Sequence, residues 1–212
     1  MRMYIRYIHI YIIKGIQHFS STIANRIRNL YYNDYLRMCG AVFDDAGKAH
    51  FTGPCVLQIK RGAFIRIGRG FRVNSGKRIG SDTLPSSKIT VMEGAKLMIG
   101  DNSGMSNTVL WCRERIEIGD YVNIGTGCFI MDNNFHSTDW KIRMSRVEKG
   151  KIATAPIIIK DHVFIGAHCI INKGVTIGEK SMVAAGSVIV KDIPDGELWG
   201  GNPAKFIKRI EV

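Results

Sequence analysis

Six histidines stand in this chain of 212 residues: His9, His18, His50, His136, His162 and His168. Imidazole titrates close to neutral pH, so a histidine beside a hydroxyl can take up its proton as the oxygen attacks an electrophile. His136 is the one set in a polar, irregular stretch, DNNFHSTD over 132–139. A base needs a partner to fix its tautomer, and Asp132 and Asp139 are the nearby carboxylates, although a backbone carbonyl would serve equally well. The plainer reading is a loop histidine satisfied by local polar groups. His162 and His168 fall inside a regular pattern and read as residues of a solvated face, while His9, His18 and His50 belong to an unpatterned N-terminal part. The five cysteines (39, 55, 112, 128 and 169) include no CxxC pair. Neither zinc-finger spacing nor a secreted disulfide framework follows, and a reducing cytoplasm suits them better. The paired carboxylates of a glycosidase and a phosphate-binding GxxxxGK[ST] are both missing from the pattern.

The elements that must position His136 are given by a repeat. Aliphatic residues stand at Ile159, Ile165, Ile171, Ile177, Val183 and Ile189, a period of six, which recurs at Ile118, Ile124 and Ile130 and more loosely at Ile67–Val73 and Val91–Leu97. A helix repeats at 3.6 and an amphipathic strand at 2, so six is three strand steps, with small residues at the corners. Three hexads close one triangular coil, and coils stack at strand spacing. The chain is therefore expected to be all-β, a parallel β-helix with Ile159 beneath Ile177 and Ile171 beneath Ile189. Between Ile130 and Ile159 the period breaks for a polar stretch, 131–155, which suggests a functional loop. Register also slips over 53–110, most visibly at Ser81–Pro85. The division expected is an N-terminal, mainly helical capping segment over 1–52, the coil over 53–193 with its loop 131–155, and a C-terminal segment over 194–212.

Composition fits a globular domain: 45% hydrophobic and 23% charged. No uncharged apolar run approaches the ~18 residues of a spanning helix, and no cleavage-site pattern follows Tyr7–Ile13. Thirty basic against 18 acidic residues give a formal charge of +12, which favours an anionic partner. No RNA- or DNA-binding motif organises these charges, so nucleic acid is not expected. Residues 1–37 hold Arg2, Arg6, Lys14, Arg26, Arg28 and Arg37 against Asp34 alone, interleaved with Ile, Tyr, Phe and Leu. Such a segment can cover the open end of a stacked coil, and it can also make a peripheral contact with an anionic membrane.

Hexads, loop and tail together resemble the hexapeptide-repeat acyltransferases, specifically the sugar O-acetyltransferase branch with the maltose and galactoside acetyltransferases. The resemblance covers about 56–210 and is most specific over 157–210, in IGAHCIINKGVTIG, VAAGSVIVKDIP and GGNPAKFIKRI. It implies a left-handed coil, a homotrimer with sites between subunits, acetyl-CoA as co-substrate and no metal. It implies His136 as general base, and Arg143 matches an arginine that recurs after that histidine. For the donor, it implies contacts at Ala167, Ala185 and Lys191, and at Lys205 and Lys208, which replace two arginines and keep the charge without the bidentate fork. Trp199 would cover the adenine or pack the C-terminal segment on the last coil; packing is favoured. The polar patch Ser103, Asn107, Trp111, Asp132 and Asn134 is the expected acceptor surface. Near Arg113 the small-sugar enzymes carry an acid, and the basic residue here argues against copying maltose or galactoside as acceptor. The activity implied is cytoplasmic O-acetylation of a saccharide hydroxyl, of a surface polysaccharide or its precursor. An acetyltransferase acting on an antibiotic hydroxyl or an amino-sugar nitrogen, and a non-catalytic β-helix scaffold, are the alternatives left open.

Overall fold

The computed structural model describes residues 22–44, 47–76, 86–145 and 152–211. His9, His18, the basic residues before Thr22, the Ser81–Pro85 stretch and positions 146–151 of the expected loop lie outside the described residues. Short strands enter three parallel sheets in turn, one strand per sheet in each coil, and the coil is left-handed. The first sheet stacks Val42–Phe43, Phe64–Ile67, Lys96–Ile99, Arg115–Ile118, Ile157–Ile159 and Thr176–Ile177. The third runs from Cys55–Ile59 through Ser87–Val91, Val109–Cys112, Phe129–Met131 and Ile170–Ile171 to Val188–Ile189. The second begins at His50–Thr52 and ends on an antiparallel hairpin, Glu197–Gly201 with Ala204–Arg209. Coil strands thus already stand at Val42–Phe43 and His50–Thr52, ahead of residue 53, pairing with Arg66–Ile67 and Arg72–Asn74. The hexad pattern does not mark them because Ala49 and Phe51 fill the inward positions in place of a six-residue aliphatic period.

The register follows the aliphatic positions. Ile159 pairs with Ile177 and Ile171 with Ile189, eighteen residues on, as the period requires. Across the long loop Ile118 meets Ile159 and Ile130 meets Ile171, forty-one residues apart. In the earlier half Ile59 meets Val91 and Ile67 meets Ile99, thirty-two apart. Where the sequence loses its period, the stacking does not: the inward ladder continues from the strands before the extra residues to those after them. The later straight runs each turn two residues inward, as Ile157 with Ile159, Val163 with Ile165 and Cys169 with Ile171, all at most 1% exposed. Full burial of each such aliphatic stabilises by ~1.5–3 kcal/mol.

The corners need a backbone most side chains avoid. One corner column, Gly70, Asn102, Tyr121, His162, Lys180 and Gly196, has φ between 55° and 70° throughout. Here four non-glycine residues accept left-handed geometry that costs ~1–2 kcal/mol each. Next to them runs an aspartate ladder. The Asp101, Asp120 and Asp161 carboxylates accept the backbone N–H of Arg69, Asp101 and Asp120 from the coil before, at 2.6–2.8 Å. Gly68 is glycine because a Cβ there would stand 2.6 Å from Asp101 Oδ1. The Arg69 guanidinium beside Asp101 holds that carboxyl below its ordinary pKa. His162 and His168 are both exposed corner residues, and His162 lies flat on Tyr121, ring centroids 5.2 Å apart.

Helix α1, Thr22–Met38, closes the open edge of the first coil. Its inner face buries Ala24, Arg28, Tyr32 and Leu36. Two asparagines one turn apart imitate a neighbouring strand. Asn29 donates to Phe51 O and accepts from Phe51 N–H, and Asn33 does the same with Ala49, all at 2.7–2.9 Å. The Tyr32 hydroxyl accepts from Cys55 N–H, and burial pushes its pKa up to about 12. Asn33→Ala strands a buried N–H and a buried C=O of Ala49, so it lowers unfolding stability by ~2 kcal/mol or more. Denaturant melts check this, and an unchanged midpoint would show that the edge does not need the amide.

Candidate active site

After Ile130 the chain leaves the coil, and the first residues out are anchored inward. Asp132 is fully buried and accepts the backbone N–H groups of Arg113, Glu114 and Arg115 at 2.7–2.8 Å, with Asn133 Nδ2 at 3.3 Å. Its oxygens are used up in holding the neighbouring coil's corner. The expected acceptor contact and orienting role of Asp132 are therefore corrected to a supporting one. Asn107, 1% exposed, likewise spends its amide oxygen on Gly76 N–H at 2.8 Å, and the Ser103 hydroxyl donates to Gly119 O and accepts from Val122 N–H. Both support the coil from inside rather than line a surface.

The residues around His136 are held by a compact set of local bonds. Asn133 Oδ1 accepts Phe135 N–H at 2.9 Å, an Asx turn that carries Phe135 into φ +62°. The Phe135 ring then meets Trp111 edge-on, centroids 4.9 Å apart at 71°. On the same indole lies the Lys88 ammonium, 4.8 Å from the centroid. Asn134 is exposed and its N–H bonds Ala153 O, while Ala155 N–H bonds Asp132 O, so the loop's outgoing and returning ends are tied. His136 projects from this turn with an exposed side chain. Its flank is fixed by Arg143, whose Nη1 donates to Ser137 O at 2.8 Å and Thr138 O at 3.0 Å. Arg143 sits on α2, Trp140–Met144, and Asp139 caps that helix by accepting Lys141 N–H at 2.8 Å. Asp139 thus serves as the N-cap of α2. Of the expected acceptor set, Asn134 stays on the His136 turn and Trp111 meets that turn through the ring of Phe135. Phe135 and Lys88 join them unannounced: only the strand register brings Lys88, of Ser87–Val91, next to Val109–Cys112.

The expected donor residues occupy other corners. Ala167 is half-buried and Ala185 exposed, stacked in successive coils. Their backbones press on glycines of the coil before: a Cβ on Gly125 or Gly166 would stand 2.6 Å from Ala167 N or Ala185 N. This column offers methyl groups and open main chain. Lys191 is exposed just after the last strand of the third sheet. Lys208 pairs with Leu198 and Lys205 with Gly200 across the hairpin, so both ammonium stems rise from one face. Trp199 packs against the core and donates its indole N–H to Glu197 at 2.8 Å. Among the described residues no group of three His, Cys, Asp or Glu could hold a metal ion, and no helix is long and apolar enough to cross a membrane. Cys55 and Cys112 are buried thiols that burial pushes up in pKa, unsuited to act as nucleophiles.

Comparison with known proteins meets this geometry from outside. Residues 156–191 match the hexapeptide repeat of succinyl-transferase. A Schizosaccharomyces pombe protein named for an acetyltransferase is 35% identical over 170 residues, 80% of this chain and 64% of that one. The galactoside O-acetyltransferase of Escherichia coli is 37% identical over 95 residues, 44% of this chain and 47% of the enzyme. The chain thus spans less than two thirds of these relatives' own length. A hexapeptide-repeat acetyltransferase of Vibrio cholerae, solved with acetyl coenzyme A, superimposes with a TM-score of 0.50 at 25% identity, covering 94% of this chain and 84% of that one. The six-residue period, the three-sheeted coil and the matched repeat agree, and the chain is similar to the hexapeptide-repeat acetyltransferases.

Proposed function

We propose that the chain transfers an acetyl group from acetyl-CoA to a hydroxyl of a saccharide, with His136 as general base. The observation that carries this reading is the exposed His136 imidazole on a turn tied to the coil, one residue after Phe135, whose ring meets the indole of Trp111. The resemblance to the sugar O-acetyltransferases implies a base at His136, and the E. coli relative is named for a galactoside acceptor. A ring nitrogen of His136 takes the hydroxyl proton while the oxygen bonds to the acyl carbon. The same proton then goes to the departing sulfur, so charge and atoms balance. Acetyl-CoA supplies the acyl group activated as a thioester. The residues present suit such a donor: the small side chains at Ala167 and Ala185 leave main chain accessible to an extended arm, and Lys191, Lys205 and Lys208 supply charge for phosphates. Trp111, Phe135 and Asn134 offer a ring face and an amide to a sugar. Lys88 and Arg113 make that surroundings basic, which favours a surface-polysaccharide unit or its precursor over a small neutral sugar. The buried thiols of Cys55, Cys112, Cys128 and Cys169 support a reducing, cytoplasmic site of action.

Assembly as a homotrimer belongs to the same reading. The third sheet sets Val56, Val109, Phe129, Ile170 and Val188 in one outward column, interrupted by Lys88. A three-fold arrangement closes heterologous contacts between such faces and places donor residues of one subunit against the next. Light scattering is expected to return the mass of three 23.7 kDa chains; a fully active monomer at micromolar concentration rules this out.

His136→Ala is expected to leave the melting temperature and acetyl-CoA binding unchanged, since the side chain is exposed, and to lower acetyl transfer by ~10²–10⁴-fold. Mass spectrometry of a sugar and nucleotide-sugar panel incubated with acetyl-CoA provides the assay. Transfer at the wild-type rate by the variant excludes the base. No acetylation of any sugar, with acetyl-CoA bound, returns the choice to an antibiotic or amino-sugar acceptor or to a scaffold.

A further inference from the structure

Helix α1 has a second apolar stripe besides the one it buries. Ile23, Ile27 and Leu30 follow at helical spacing and are 69%, 48% and 61% exposed. In the sequence Ile16 and Phe19 continue that spacing upstream. Beside the stripe a groove of about 700 Å³ is lined by Leu30, Arg26, Arg37, Lys48 and His50, with Asp34 its one acid. Asp34 is already paired with Arg37 at 3.3 Å, which leaves the groove a net positive wall. Contiguous exposed aliphatics with a charged border mark a docking surface.

We infer that this outer face of α1 docks on an anionic phospholipid bilayer. Ile23, Ile27 and Leu30 would enter the boundary between headgroups and acyl chains, and Arg26 and Lys48 would meet phosphodiesters at the groove. Charge selects this occupant. A second copy laid on the same face would set Arg26 and Lys48 against their own equivalents. Residues 1–21 as a cover would add Arg2, Arg6 and Lys14, with no acid among them, to a wall that is already basic. A bilayer bearing phosphates supplies both the negative charge and the apolar layer. The inner face of α1 remains committed to the coil through Asn29 and Asn33, so docking requires no unfolding. This surface is separate from the His136 turn and stands or falls independently of the acetyl-transfer reading.

Co-sedimentation of the full-length protein with vesicles tests it. Binding is expected to phosphatidylglycerol-containing vesicles, to fall steeply as salt is raised, and to be missing with pure phosphatidylcholine. The Ile23→Ser, Ile27→Ser, Leu30→Ser variant should partition about tenfold less. Arg26→Gln with Lys48→Gln should flatten the salt dependence. Circular dichroism and acetyl transfer to a soluble acceptor should stay unchanged in both. Full-length protein that remains in the supernatant with anionic vesicles at low salt overturns the inference. So does a triple variant that pellets like wild type, because another surface then does the binding. A triple variant whose oligomeric mass drops in light scattering also overturns it, since a second copy then covers the stripe.

Discussion

Along the corner between the first and second sheets, from Gly70 to Gly196, the backbone turns through a left-handed conformation in coil after coil, and the rest of the molecule depends on that fit. Tyr121, His162 and Lys180 accept φ near +58° because the parallel ladder above and below fixes their N–H and C=O groups. The Asp101, Asp120 and Asp161 carboxylates then accept N–H groups that a turn would otherwise leave unpaired. Glycines precede them because the carboxylate already fills the place of a side chain. With the corners satisfied, each straight run needs to do little more than point two residues inward, and the core becomes a stack of near-identical layers.

A scaffold of this kind fills its inside with packed side chains, so the groups of the proposed site stand on what leaves it. Asp132 marks the point of departure: one carboxylate receives three backbone N–H groups of the preceding coil and thereby fixes where the excursion begins. Asn133 then shapes the turn, Phe135 wedges against Trp111, and Arg143 grips the two carbonyls after His136. The imidazole itself is exposed, but the backbone that carries it is tied on both sides. This division between buried supports and an exposed side chain would let the proposed base be positioned without being desolvated.

The open ends of a stack require covers. At the C-terminal end the hairpin of Glu197–Gly201 and Ala204–Arg209 continues the second sheet and lifts Lys205 and Lys208 on one face. At the N-terminal end α1 replaces a missing strand with the amides of Asn29 and Asn33, which present donor and acceptor at the spacing of a strand edge. Covering an edge by a helix leaves the helix's other side outward, and here that side is aliphatic and bordered by cations.

The amino-acid sequence by itself determined the coil from residue 156 onward, the stacking of Ile159 on Ile177, the site of the excursion and the histidine within it. A period of six is a local property, and every hexad there repeats it. It did not show that the coil starts as early as Val42, because Phe51 and Ala49 fill inward positions without an aliphatic period. The roles of Asp132 and Asn107 were also out of reach. A polar side chain in a loop reads the same whether it faces a substrate or a backbone N–H, and only its partners distinguish the two. Those partners, Arg113 to Arg115 for Asp132 and Gly76 for Asn107, lie seventeen to thirty-one residues away in the chain. Lys88 reaches Trp111 by the same long-range pairing. The tertiary structure decided these because the stacking of coils, not proximity along the chain, sets which side chains meet.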